Sequence, residues 1–272
     1  MPLFGRKTHD ETSQPGDGAV AAAEELGQRI ETAVTDAAGR IRVEDLLSAA
    51  GAVCGEACIA AAGEFDPESH DFAPGAAVLS DRVNEILCGN AGEWPKTGRS
   101  VFGVVFAEAI RAGYVIEDFP VLADVFRVYL AGLGGNGDRW GYVSLSVPAD
   151  NWPRTPPLRA AYEMRREVRA ILAEHAVTTA SWPTACSLMV ARELGRVQAA
   201  IDRPIGVRIA IETINGMAKM APMTERHVRE LARGTGSGAS PLSSAIDGDS
   251  PLGQAGRPPR RGQRSRVAGR DP

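Results

Sequence analysis

Residues 43–63 read VEDLLSAAGAVCGEACIAAAG, an unbroken stretch dominated by small and apolar side chains. Its larger apolar residues recur at steps of three and four, which is the spacing of one face of an α-helix. They are Leu46, Leu47, Ala50, Val53, Cys54, Ala57 and Cys58. Gly63 follows the last apolar residue, where a helix C-terminus favours glycine. We therefore predict a helix from Val43 to Ala62.

The same periodicity extends along the chain on both sides of this stretch. It predicts further helices over about 19–38, 76–87, 99–112, 117–132, 156–176, 181–203, 205–220 and 224–233. Aromatic residues are only 6% of the chain and alanine is abundant, which disfavours an all-β fold and favours close contacts between helices. The prediction is an all-α bundle of about eight or nine helices, with 99–112 and 117–132 as its most buried members.

Composition divides the chain into five segments. We expect a disordered N-terminus (1–18), a loop-rich helical half (19–147), a proline-rich linker (148–157), a regular helical half (158–233) and a disordered tail (234–272). The two halves form either one bundle or two sub-bundles hinged at the linker. The alternating residues Tyr142–Val147 fit a short strand or an extended loop.

Charge is distributed unevenly between the body and the tail. Six arginines and one aspartate lie between 257 and 272, a balance of +5, whereas the whole chain has a formal net charge of −4. The rest of the chain therefore carries −9, which does not favour a protein built to coat nucleic acid. The first residues, MPLFGRK, lack the apolar core of a signal peptide, and no apolar run reaches the length of a membrane span. We expect a cytoplasmic protein with no membrane segment.

Two groups of residues could bind a metal ion. Cys54 and Cys58 share a helix face and could form a zinc site with Cys88 or His70. The loop 64–71 carries four acids and could hold a divalent cation. Buried cysteines and a solvated acidic loop are the commoner outcomes, so we predict no metal and no cofactor.

The tryptophans favour a protein partner. All four lie in loops or at helix starts, where such side chains either plug the end of a bundle or anchor a contact. If they are exposed, the predicted partner surface consists of Trp94, Arg99, Arg139, Trp140, Trp152 and Arg154.

Residues 217–231, MAKMAPMTERHVREL, resemble a helix-turn-helix, with an alanine in the first helix and a threonine cap on the second. The resemblance covers about fifteen residues and implies that the second helix enters the major groove of DNA. It places Thr224, Glu225, Arg226, His227 and Arg229 at bases or phosphates. The tail, including Arg260 and Arg261, would add phosphate contacts.

These observations leave three functional hypotheses. The leading one is a non-catalytic interaction or regulatory protein, because no nucleophile elbow, Walker loop or zinc-protease motif occurs. The first alternative is a DNA-binding accessory protein that uses 217–231 and the tail. The second is an enzyme with a site assembled from acids such as Glu56, Glu64, Asp66, Asp81 and Glu85.

Overall fold

The computed structural model describes residues 16–89, 100–133 and 141–234, which form an all-α bundle. These residues contain nine α-helices and no strand, so the predicted fold class is confirmed. The helices are α1 (Asp17–Val34), α2 (Val43–Ala62), α3 (Asp81–Cys88), α4 (Val101–Arg111), α5 (Leu122–Gly132), α6 (Pro157–Glu174), α7 (Trp182–Val197), α8 (Arg203–Met217) and α9 (Glu225–Gly234). Apart from residues 16–18 and Gly234, the ends predicted to be disordered lie outside the described residues.

Helix α2 lies at the centre of the bundle, where it packs against α1, α3, α6, α7 and α8. All of its residues from Leu46 to Ile59 are buried. By length and composition it is the one described helix that could cross a membrane, and 78% of that apolar window is buried inside the protein. The expectation that 99–112 and 117–132 are the most buried helices is wrong, because α5 buries only Val125 and Tyr129 whereas α2 and α8 are enclosed on nearly every side.

Two glycines of α2 allow it to pack closely against α8. A Cβ atom placed on Gly55 would lie 2.6 Å from the Met217 Cβ and 2.8 Å from the carbonyl oxygen of Ile214. A Cβ atom on Gly51 would lie 2.9 Å from the carbonyl oxygen of Ala210. Real Cβ atoms do not approach other atoms so closely, so this crossing requires glycine at both positions.

Two helix boundaries differ from the prediction because of one long-range backbone pairing. The amide of Ala221 donates to the carbonyl of Ala76, and the amide of Val78 donates to that of Lys219, both at 2.8 Å. This pairing keeps 75–78 and 218–221 out of their neighbouring helices. As a result α3 begins at Asp81, where Ser80 caps it, and α8 ends at Met217.

The alternating segment Tyr142–Val147 is an extended loop packed along α8. Its Val143, Leu145 and Val147 are buried, and Val143 fills the space above Gly216. The buried carboxylate of Glu212 accepts hydrogen bonds from the Ser146 amide, at 2.6 Å, and from the Ser146 hydroxyl. The alternation in the sequence therefore reflects the burial of every second side chain, and this segment does not pair with a strand in the part of the chain that the structure describes.

The proline-rich segment 148–157 is bound onto the start of α2. Asp45 accepts from the amides of Arg154 (2.6 Å) and Thr155 (3.1 Å). Arg42 donates to the carbonyls of Trp152 (2.7 Å) and Asp150 (2.5 Å). Helices from both sides of this segment contribute to one hydrophobic core.

The α2–α8 crossing gives a stability prediction. We expect Gly55→Ala to lower the free energy of unfolding by about 1–3 kcal/mol, because the clash with backbone atoms exceeds the gain in helix propensity of about 1 kcal/mol. Gly195→Ala inside α7 is the matched control, since it gains the same helix propensity and its Cβ position meets only the Ala112 Cβ, at 3.2 Å. Urea denaturation of the full chain measures both. A Gly55→Ala protein as stable as wild type would contradict the close crossing.

Candidate functional site

Some side chains of the helix-turn-helix-like segment are buried, and others are exposed on α9. Thr224 and His227 are buried and cap α9: the Thr224 hydroxyl accepts from the His227 amide at 3.3 Å, and the His227 Nδ1 accepts from the Thr224 amide at 3.1 Å. Arg226 and Arg229 are exposed on α9. Glu225 is exposed as well, so Arg226 and Arg229 are the described basic candidates that face solvent, while Arg260 and Arg261 lie outside the described residues.

The connection between α8 and α9 is extended along 75–78. A helix-turn-helix joins its helices by a turn of about three or four residues, whereas residues 218–224 separate α8 from α9 and pair with another loop.

Of the residues predicted to form a partner surface, the structure describes Trp152 and Arg154. Trp152 is half-buried against the core, and its indole N–H donates to the carbonyl of Val147 at 3.3 Å. Arg154 is exposed. Trp94, Arg99, Arg139 and Trp140 lie outside the described residues, so this surface stays a prediction.

A cleft of about 800 Å³ opens between the loop before α3 and the helices α6 and α9. We call it the α6–α9 cleft. It is lined by Glu68, Ser69, His70, Asp71, Tyr162, Glu163, Arg165, Arg166, Thr224, Glu225, Arg226 and Arg229. Its size lies within the range of small-molecule sites, about 300–1,000 Å³. The cleft brings together the acidic loop and the exposed arginines of α9, which the sequence analysis had treated separately.

A buried ion pair forms the floor of this cleft. Arg165 donates to both oxygens of Glu56, with 2.9 Å between Nη2 and Oε2, and its Nη1 donates to the carbonyl of Met223 at 2.6 Å. The hydrogen bonds of Arg165 and the nearby Glu56 charge raise the arginine's pKa despite its burial. One guanidinium therefore ties α6 to α2 and to the segment that precedes α9.

Two histidines face each other in the cleft wall. The rings of His70 and His227 lie 5.6 Å apart, and His70 donates from Nε2 to the carbonyl of Pro222 at 3.1 Å. Burial lowers the pKa of both rings. The charge of His227 lowers the pKa of His70 further, and that of Arg226 lowers the pKa of His227. Both rings are therefore neutral at pH 7.

The candidate metal ligands do not form a metal site among the described residues, which contain no suitable group of three or more His, Cys, Asp or Glu side chains. Cys54, Cys58 and Cys186 are buried, and the Cys58 thiol donates to the carbonyl of Cys54 at 3.2 Å. Burial raises the pKa of the Cys54 thiol well above its usual value and that of Cys88 to about 11. In the loop 64–71, Asp66 accepts from the Glu68 amide and the Ser69 hydroxyl.

The acids proposed for a catalytic site have separate roles. Glu56 pairs with Arg165, and Glu64 accepts from Ser80, the cap of α3, at 2.6 Å. Asp81 is exposed, and Glu85 pairs with Arg82 at 2.9 Å on the surface of α3.

Sequence reasoning missed several buried charged side chains, among them Arg165, Lys219, Glu193 and Glu212. Lys219 is 3% exposed, donates to Asn215 Oδ1 at 2.6 Å and lies 3.7 Å from the centre of the Phe126 ring. Burial lowers its pKa to about 8. Burial also raises the pKa of the Glu193 and Glu212 carboxyls. Helical spacing places Glu212 and Lys219 opposite the apolar stripe of 205–220, on the side expected to face solvent. Their burial under 142–147 and α5 therefore had no sign in the sequence.

An apolar surface lies on α5 and the 3-10 turn Ile116–Asp118. Five of the nine large hydrophobic side chains that are exposed among the described residues fall between Val115 and Leu133. They are Val115, Ile116, Val121, Leu130 and Leu133. We call this region the α5 surface.

The histidine pair gives a pH prediction. An unfolded histidine has a pKa of about 6.5, so the unfolded chain binds protons that the folded chain with its lowered pKa values does not. Stability should be fully present above about pH 6.5 and fall as the pH drops towards the folded pKa values. Urea midpoints between about pH 7.5 and pH 5 measure this loss. His70→Gln should reduce the fall, whereas His175→Gln, which keeps both rings, should retain it. A fall of equal size in His70→Gln would refute this assignment.

Comparison of the chain with protein-family models, with curated proteins and with solved structures gives no match.

Proposed function

We propose that this chain is a non-catalytic regulatory protein that binds a distinct protein partner through the α5 surface. The observation that carries the proposal is the concentration of exposed large hydrophobics in 115–133, where Ile116 is 69% and Leu130 58% exposed. Contiguous exposed apolar side chains commonly mark protein–protein contacts. Elsewhere among the described residues such side chains are scattered, at Val20, Ile41, Phe72 and Leu79.

The spacing of apolar residues on α5 supports recognition of a helix by a groove. Leu130 and Leu133, three residues apart at the end of α5, are both exposed. This is the spacing with which amphipathic helices dock into hydrophobic grooves of their partners. The inward side of α5 is held by Leu122 and Val125 in the core and by Phe126 and Tyr129 against Lys219, so the helix is already ordered before a partner binds.

The partners of the buried charged groups support a non-catalytic role. Glu56 is bound by Arg165, Glu212 by Ser146 and Lys219 by Asn215. The first two pairs join different segments of the chain, and the third lies at the end of α8. These charged groups therefore stabilise the fold.

A mutation of α5 tests the proposal. We expect Leu130→Glu to leave the fold stable and to weaken partner binding at least about tenfold, because a carboxylate would enter an apolar contact. Leu79→Glu is the matched control, since Leu79 is 65% exposed and lies outside the α5 surface. The measurement is quantitative co-purification with the tagged full chain from its native cells, followed by titration with the purified partner.

The expected result is one partner that binds wild type and Leu79→Glu but not Leu130→Glu. Identical sets of partners for wild type and Leu130→Glu would refute the proposal. A wild-type dimer that Leu130→Glu dissociates in sedimentation experiments would also refute it, because the surface would then serve self-association.

DNA binding is the second candidate function. Exposed Arg226 and Arg229 on α9, followed in sequence by the arginine-rich tail, favour it. We expect a gel shift of duplex DNA at about 50 mM salt that is lost by about 200 mM. Arg229→Ala should weaken it, and Arg111→Ala on α4 should not. The absence of a shift at low salt would exclude this function.

A further inference from the structure

The α6–α9 cleft contains two arginines that have no acidic partner among the described residues. Arg166 on α6 and Arg229 on α9 are exposed, and no carboxylate lies within 4 Å of either guanidinium. The other two arginines of the cleft are engaged, Arg165 by Glu56 and Arg226 by Asp71. Arg229 donates from Nε to the carbonyl of Glu225 at 3.3 Å, which leaves its two Nη groups and the Arg166 guanidinium available for a ligand.

Most of the acidic side chains in the cleft are neutralised by arginines. Glu68 pairs with Arg169 at 2.7 Å, and Glu163 pairs with Arg159 at 2.7 Å. Asp71 pairs with Arg226 at 2.8 Å. Glu225 is the one acid of the lining without an ion pair among the described residues. The cleft therefore offers two uncompensated cations against one uncompensated anion, which favours an anionic ligand.

The buried Arg165–Glu56 pair ties together the elements that carry the two free arginines. Arg165 binds Glu56 of α2 and the carbonyl of Met223, just before the cap of α9. Arg166 is the next residue on α6, and Arg229 lies on the helix that Thr224 and His227 cap. The distance between the two walls is therefore set before any ligand enters, which lowers the entropic cost of binding.

We propose that the α6–α9 cleft binds a small phosphorylated molecule, with its phosphate on Arg166 and Arg229. The planar guanidinium donates paired N–H groups that match phosphate oxygens. A volume of about 800 Å³ accommodates a molecule of nucleotide size. The ring of Tyr162 in the lining, which has Arg165 over it at 5.5 Å, provides an aromatic surface for the remainder of the ligand. The site shares no residue with the α5 surface, so it stands independently of the proposed partner.

Isothermal titration of the full chain tests this site with two phosphorylated probes, inorganic pyrophosphate and adenosine diphosphate, and with citrate as an anion without phosphorus. We expect saturable binding of at least one phosphorylated probe with a Kd below about 1 mM. Arg166→Gln and Arg229→Gln should each weaken it at least about tenfold. Arg111→Gln, an exposed arginine of α4, should bind like wild type. Unchanged thermal midpoints would show that the variants fold.

Several results would overturn the proposal. Wild-type protein that binds neither phosphorylated probe excludes the site, and unchanged binding by Arg166→Gln places it elsewhere. Citrate bound as tightly as the phosphorylated probes excludes selection of phosphate. Binding that is lost in the double variant Arg260→Gln/Arg261→Gln but kept in Arg166→Gln assigns the phosphate to the tail.

Discussion

The contact between α2 and α8 at Gly51 and Gly55 places two helix backbones against each other with no side chain of α2 between them. Such an approach maximises dispersion contacts but tolerates no added Cβ atom. With α8 so close, the remaining faces of α2 are left for α1, α3, α6 and α7. Small residues thereby form the contacts around α2, while leucine, isoleucine, valine and methionine fill most of the remaining core.

Charged side chains connect this core to the loops around it. Glu212 holds the extended segment 142–147 on α8, and Arg165 joins α6 to α2 and to Met223. Burying these groups costs desolvation free energy, which their hydrogen bonds offset. Because these hydrogen bonds require specific distances and angles, they fix the positions of the segments 142–147 and 218–224. The α6–α9 cleft follows from this arrangement, because its floor is the Arg165–Glu56 pair.

Helix positions were predictable wherever the signals were local. The bounds of α2 match the prediction because apolar spacing and the left-handed Gly63, with a φ of 67°, both act within a few residues. The predicted start of α3 and end of α8 were wrong, since 75–78 and 218–221 pair with each other across the chain. The burial of Lys219 had no local sign, because it depends on the distant Phe126 of α5.

The sequence by itself determined that this protein is a bundle of helices, because a periodicity of 3.6 residues and the turn residues between helices are short-range properties. Only the tertiary structure decided which arginines are paired and which are free. Arg165, Arg166, Arg226 and Arg229 look alike in sequence, yet two of them meet acids from distant segments and two do not. The reason is that ion pairing depends on distances between helices, and those follow from how the whole chain packs.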